Sequence, residues 1–192
     1  MSGSNWVRIV TAIPGPEGTY KDWARAEVAR LVPSMSASPL EATGIELKFQ
    51  LPTAGWLSFS LSSGAQSVVA DFTDVLDPFS DRPGHGEVEI SLVRWLQRIA
   101  AGEHPLLAVE CEGPWVIAIL APIDETHIRV SASAGERITF DITIDRLVFV
   151  RDFYRQLMSF WESDGLKKNW SEWQENRAQW SIRSELIERA IG

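Results

Sequence analysis

The chain has a single cysteine, Cys111, among 192 residues. One thiol forms no intrachain disulfide, so packing alone must hold the fold, as in proteins of reducing compartments. Histidine is nearly as scarce. His85, His104 and His127 stand far apart, and no His-Glu-x-x-His pattern links any two of them. The chain also lacks a Walker-type phosphate loop, a dinucleotide fingerprint, a Gly-x-Ser-x-Gly elbow and a cysteine pair. Pro83-Gly84-His85-Gly86-Glu87 sets two glycines ahead of a helical pattern. A third glycine and a preceding strand are missing, and Glu87 and Glu89 oppose an anion at that helix start. These gaps weigh against an enzyme, and no cofactor is expected.

Long hydrophobic runs are missing too. The longest, Trp115 to Pro122, is far too short to span a bilayer. The first residues carry no basic segment followed by an apolar run, so no secretory signal is read there. The expected location is the cytoplasm. Basic residues are outnumbered, 18 against 26 acidic, for a net charge of −8. A negative surface repels phosphate backbones and anionic headgroups, so neither nucleic acid nor membrane is expected as a partner. Residues 87–144 carry nine acidic side chains against four basic ones, whereas 145–192 are balanced.

What the chain does have is periodicity and tryptophan, nine of the latter. Residues 1–44 read as an irregular N-terminal part of one domain. It holds a short strand at Trp6–Ala12, a helix at Tyr20–Leu31 stopped by Pro33, and a linker from Pro33 to Gly44. From Ile45 the period becomes two. Ile45, Leu47, Phe49 and Leu51 alternate with Glu46, Lys48 and Gln50, and strands at Leu57–Leu61 and Ser67–Phe72 follow across short turns. Val88, Leu92, Trp95, Leu96 and Ile99 then recur at helical spacing. Glu87 and Glu89 fall in the first turn and Gly102 follows the end. Four more strands are predicted at Leu106–Glu112, Trp115–Ala121, His127–Ser133 and Arg137–Ile144. In the last, Ile138, Phe140, Ile142 and Ile144 face one way and Arg137, Thr139, Asp141 and Thr143 the other. Two helices end the chain. The first is N-capped by Asp145, with Val150, Phe153, Leu157 and Trp161 as its buried stripe. The second starts at a capping box at Ser171–Gln174, with Trp173, Trp180 and Ile187 seven apart.

This order implies an α+β fold. It is an antiparallel meander of about six to seven strands with one inserted helix and two C-terminal helices packed on one face, residues 45–192 forming the body of the domain.

The chemical candidates are few. Asp71, Asp74, Asp77, Asp81 and His85 lie within fifteen residues, and Asp71, Asp74, Asp77 and His85 would be the ligands of a divalent cation in a metal-dependent hydrolase or transferase. The spacing is not that of an EF-hand. Phe72, Val75, Leu76 and Phe79 interleave with the acids, as on the wet side of an amphipathic turn. Asp141 with Asp145, or Glu110 with Glu112, are the available carboxylate pairs, and alternation alone explains both. Cys111 lies on the strand phase of Leu107 and Val109, where an inert buried thiol is the default. Trp161, Trp170, Trp173 and Trp180 cluster with Lys167, Lys168, Arg177 and Arg183. They serve either to cap the sheet or to anchor a partner, including a second copy of the chain in a homo-oligomeric structural protein.

The leading expectation is a non-enzymatic binding protein. It would present an acidic surface (Asp71, Asp74, Asp77, Asp81, Glu110, Glu112), and Trp170, Trp173 and Trp180, to a basic protein partner. In general type, being small, acidic, tryptophan-rich and without catalytic signatures, the chain resembles the immunity proteins of bacterial polymorphic toxins. That resemblance implies masking of a basic protein and carries over no individual residue.

Overall fold

Period-two alternation does build strands here, but in two sheets rather than one. The computed structural model describes residues 19–52, 56–72, 79, 91–110, 115–170 and 182–192. The smaller sheet joins β2 (Glu46–Phe49), β3 (Leu57–Ser63) and β4 (Gln66–Phe72) as an antiparallel meander. Its register stacks Leu47 on Leu61 and Val68, and Phe49 on Phe59 and Ala70. That row is its apolar face. The opposite row carries Lys48, Ser58, Ser60, Val69 and Asp71. Gly64, at φ +56°, makes the tight β3–β4 turn, a left-handed conformation that a side chain opposes.

The larger sheet has the order β1-β8-β7-β6-β5. Strands β5 (Leu107–Glu110), β6 (Trp115–Pro122), β7 (His127–Ala134) and β8 (Arg137–Asp145) form an antiparallel meander. The two-residue β1 (Leu40–Glu41) lies parallel to β8. The single meander of six to seven strands is therefore corrected to a five-stranded and a three-stranded sheet. The break falls between β4 and β5, where the connection carries a helix instead of a hairpin. The apolar faces of both sheets are buried in one core, to which the helix over residues 146–161 also contributes: Phe153 meets Phe59 edge-on at 6.3 Å and Phe160 stacks on Phe49 at 4.5 Å. Strand β4 comes within 8 Å of β5, β7 and β8. The buried Ala70, Ala118 and Ala132 in the shared core suit so close an approach.

The larger sheet is apolar on both faces. Leu107, Val109, Leu120, Val130, Phe140, Ile142 and Ile144 join the main core. Ala108, Ile117, Ile119 and Ala121 face the other way and lie under Val28 and Leu31 of α1 (Thr19–Leu31). Strand β6 is thus buried on both sides, which explains its unbroken apolar run. The N-terminal helix α1 covers this far side of the sheet. A second correction concerns β8. A register shift at Ala132/Ser133 opposes Ser133 to Ile138 and leaves Thr139 as the extra residue. The bulge reverses the side-chain phase, so Ile138 packs with the α1 cluster while Phe140, Ile142 and Ile144 face the main core.

Helix α2 (Leu92–Ala100) begins after Ser91, whose hydroxyl accepts the Arg94 N–H at 3.3 Å. It starts later than Val88 suggests, and Glu87 and Glu89 lie outside both its first turn and the described residues. Its end is a Schellman turn: Gly102 N–H donates to Ile99 O and Glu103 N–H to Arg98 O, both at 2.9 Å, with Gly102 at φ +86°. Asp145 caps α3 (Arg146–Trp161) as expected, accepting the Val148 N–H at 2.9 Å. The short α4 (Asp164–Asn169) and α5 (Glu185–Ile191) follow, capped by Ser163 and Ser184. Residues 171–181, where a second long helix was expected, lie outside the described residues; Ile187 is in α5 and fully buried.

Helix α3 is the spine of the main core. Phe149, Val150, Phe153, Leu157 and Trp161 are buried along it. It also closes the open edge of β2: Gln156 Oε1 accepts the Leu47 N–H at 2.7 Å, and Asp152 Oδ2 accepts the Ile45 N–H at 3.4 Å. Each group so taken is one fewer for another chain to pair with.

Candidate functional site

Of the acidic candidates, Asp71 is half-buried on β4 opposite Ser58, whose hydroxyl donates to its carboxylate. Glu110 ends β5 opposite Trp115. Asp74, Asp77, Asp81, His85, Cys111, Glu112, Trp173 and Trp180 lie outside the described residues. Among the described residues no group of three or more His, Cys, Asp or Glu is placed to hold a metal. Trp170 is 8% exposed and meets Trp161 edge-on at 6.2 Å, within the main core.

Asp141 and Asp145 serve separate structural ends. Four residues apart on one strand, they stand about 13 Å from each other. Asp145 caps α3. Asp141 is the centre of a buried network. Arg129 Nε donates to its Oδ1 at 2.7 Å and Nη2 to its Oδ2 at 2.6 Å. Ser131 Oγ donates to Oδ1 and the Ser36 N–H to Oδ2, both at 2.9 Å, while Arg129 Nη2 also donates to Ser36 O. The pair ties the chain after α1 onto the sheet. Arg129 and Ser131 read as wet residues because they fall on the polar phase of β7. The one legible signal is that this phase faces Asp141 across the register.

The two described histidines, His104 and His127, have separate surroundings. His127 belongs to a turn in which Asp124 Oδ1 accepts the N–H groups of Thr126 and His127 at 2.8 Å. Those two donors hold the exposed Asp124 carboxyl far below the usual carboxylate range. His104 is half-buried, and desolvation, helped by the Arg146 guanidinium, lowers its pKa. Arg146 itself caps α2 through Ile99 O and Ala100 O.

The concavity worth describing lies where the two sheets meet. A groove of about 500 Å³ is bounded on one side by the chain from Leu40 to Glu46 and on the other by Ser62, Ser63 and Gly64. Two hydroxyls fasten its walls together: Ser63 Oγ donates to Gly44 O at 3.0 Å and Ser62 Oγ to Glu46 O at 3.5 Å. Leu40 leans over the turn so closely that a Cβ on Gly64 would sit 3.2 Å from its Cδ2. The lining carries two carboxylates, Glu41 and Glu46, and no cation. Both residues are exposed, and Glu46 pairs with Lys48 on the neighbouring wet face at 3.0 Å. The groove is of ligand size, and its floor is backbone and hydroxyl rather than an acid–base pair. Sequence reading places this segment in a linker, because a two-residue strand shows no period.

Compared with protein-family models, with curated proteins and with solved structures, the chain matches none.

Proposed function

We propose that this is a non-enzymatic binding protein that masks a basic protein partner through an acidic surface. The observation that carries the reading is the groove beside β1, which pairs two carboxylates with no lining cation on a chain of net charge −8. Such a surface raises the encounter rate with cationic partners and disfavours anionic ones. Immunity to a basic toxin is one form this activity would take. Asp71, Asp74, Asp77, Asp81, Glu110 and Glu112 are the further acidic residues proposed to meet such a partner.

The test uses the full chain immobilised and challenged with cell extract at about 0.05 and 0.5 M salt, spanning a roughly threefold change in Debye length. The expected result is a small set of basic proteins, retained at low salt, released at high salt and depleted when Glu41→Lys and Glu46→Lys are combined. Captured proteins with no bias in charge, or retention indifferent to both salt and the double variant, would overturn the reading.

A further inference from the structure

We propose that the partner enters this groove as an extended basic segment, adding a strand to the free edge of β1 at Glu41. The mode of docking is new here; the charge of the segment rests on the reading above. Leu40 opposes Ile142 and Glu41 opposes Thr143 in parallel, and the Ala42 N–H donates to Thr143 O at 2.8 Å. In a parallel ladder with that bond, Thr143 directs both of its main-chain groups to β1, and Glu41 directs both of its own to the opposite side. Among the described residues neither the N–H nor the C=O of Glu41 has a partner.

Side chains take up part of the neighbouring edges. Gln156 and Asp152 satisfy the outer side of β2. Gln66 Oε1 accepts the Asp141 N–H at 2.6 Å, so the edge of β8 is sealed where β1 does not reach. The open pair at Glu41 lies in the wall of the groove, whose volume suits a few residues of extended chain. Main-chain pairing supplies affinity in this mode and alternate side chains supply selection. Here the lining selects by charge: Glu41 and Glu46 favour a lysine or arginine on the entering strand, and no lining cation favours an acid.

The probe is a capped Lys-Val-Lys-Val-Lys peptide, titrated into the isotopically labelled full chain and followed by amide NMR shifts. Controls are the Glu-Val-Glu-Val-Glu peptide, two probe peptides N-methylated on every second residue in either phase, and the Glu41→Lys variant. Saturable shifts are expected at Glu41, Thr43, Ser63 and Gly64. Affinity should fall at least tenfold for one of the two methylated peptides and for Glu41→Lys, whose remaining spectrum should overlay the wild type. If both methylated peptides bind like the parent, or the shifts fall on another surface, strand addition at Glu41 is wrong while an acidic recognition surface survives. If the glutamate peptide binds as well as the lysine one, the charge reading fails with it.

Discussion

Arg129 is 4% exposed on a strand whose polar phase would ordinarily face water. Burying one guanidinium costs several kcal/mol unless it is paired and its donors are met. The bidentate geometry to Asp141, with Ser131 and Ser36 completing the carboxylate's acceptors, meets that condition. Losing one partner should therefore hurt more than the net worth of the pair, because an uncompensated charge stays behind. Arg129→Ala is expected to lower stability by about 3–5 kcal/mol, read as a shift in the denaturation midpoint. Arg129→Met combined with Asp141→Leu should cost less than Arg129→Ala alone. A double variant as damaged as the single would show that the Ser131 and Ser36 bonds, not the charges, dominate. The same logic separates Asp141 from catalysis: a carboxylate with its oxygens already engaged by Arg129, Ser131 and Ser36 is ill suited to move protons.

At the scale of elements, the ends of helices are specified by short local codes, and these work as sequence chemistry says they should. Asp145, Ser91, Ser163 and Ser184 each accept the N–H three residues on. Helix α5 is too short to persist unaided, and its docking rests on few groups. Ile187 is buried, the Ser184 N–H donates to the Tyr154 hydroxyl at 2.9 Å, and Gln97 Nε2 donates to Ser184 Oγ at 3.0 Å. Tyr154→Phe leaves that buried N–H unmet, and a loss of roughly 1–3 kcal/mol is expected. Burial raises the Tyr154 pKa above its ordinary value of 10.0, with Glu188 adding to the rise. The folded state therefore holds the phenolic proton longer than the unfolded state does. The stability it contributes is intact below pH 10 and is lost as the pH climbs through the raised folded value. Denaturation midpoints measured across pH 9–12 should fall less steeply in Tyr154→Phe than in the wild type (pH chosen about the tyrosine range); parallel curves would mean that the phenol does not report the docking.

For the whole molecule, the decisive feature is a five-stranded sheet shared by two apolar layers. Ile117 and Ile119 face α1 while Ala118 and Leu120 face the main core, so one strand, β6, couples both sides. Unfolding should accordingly be one transition. Leu31→Ala, in the α1 layer, and Leu120→Ala, in the main core, are each expected to cost about 2–5 kcal/mol. Each should shift the tryptophan fluorescence and far-ultraviolet circular dichroism curves together. A split between the two probes in Leu31→Ala alone would mean that α1 melts as a separate unit. The groove is likewise a property of the whole molecule. No single residue marks the groove at Glu41; it exists because β1, β2 and the β3–β4 turn converge.

Most element types and side-chain phases of this chain are legible in its local patterns. The alternations Leu47/Phe49, Leu57/Phe59/Leu61 and Phe140/Ile142/Ile144, the α3 stripe, the Asp145 cap and Gly102 are local patterns, since side-chain period and capping depend only on near neighbours. The tertiary structure alone decided which strand lies beside which. It split the strands into two sheets, covered the far face with α1, buried Arg129 against Asp141, reversed Ile138 through a bulge and set Leu40–Glu41 beside β8. The local traces are faint, the unbroken apolar run of β6 and the polar phase of β7 opposite Asp141, because each feature depends on surface brought together from distant parts of the chain, and a strand of two residues has too little length to show a period. The candidate site belongs almost wholly to this second class. Acidity was visible from composition, but the unpaired main-chain groups of Glu41 arise only once β8 has taken the other side of β1.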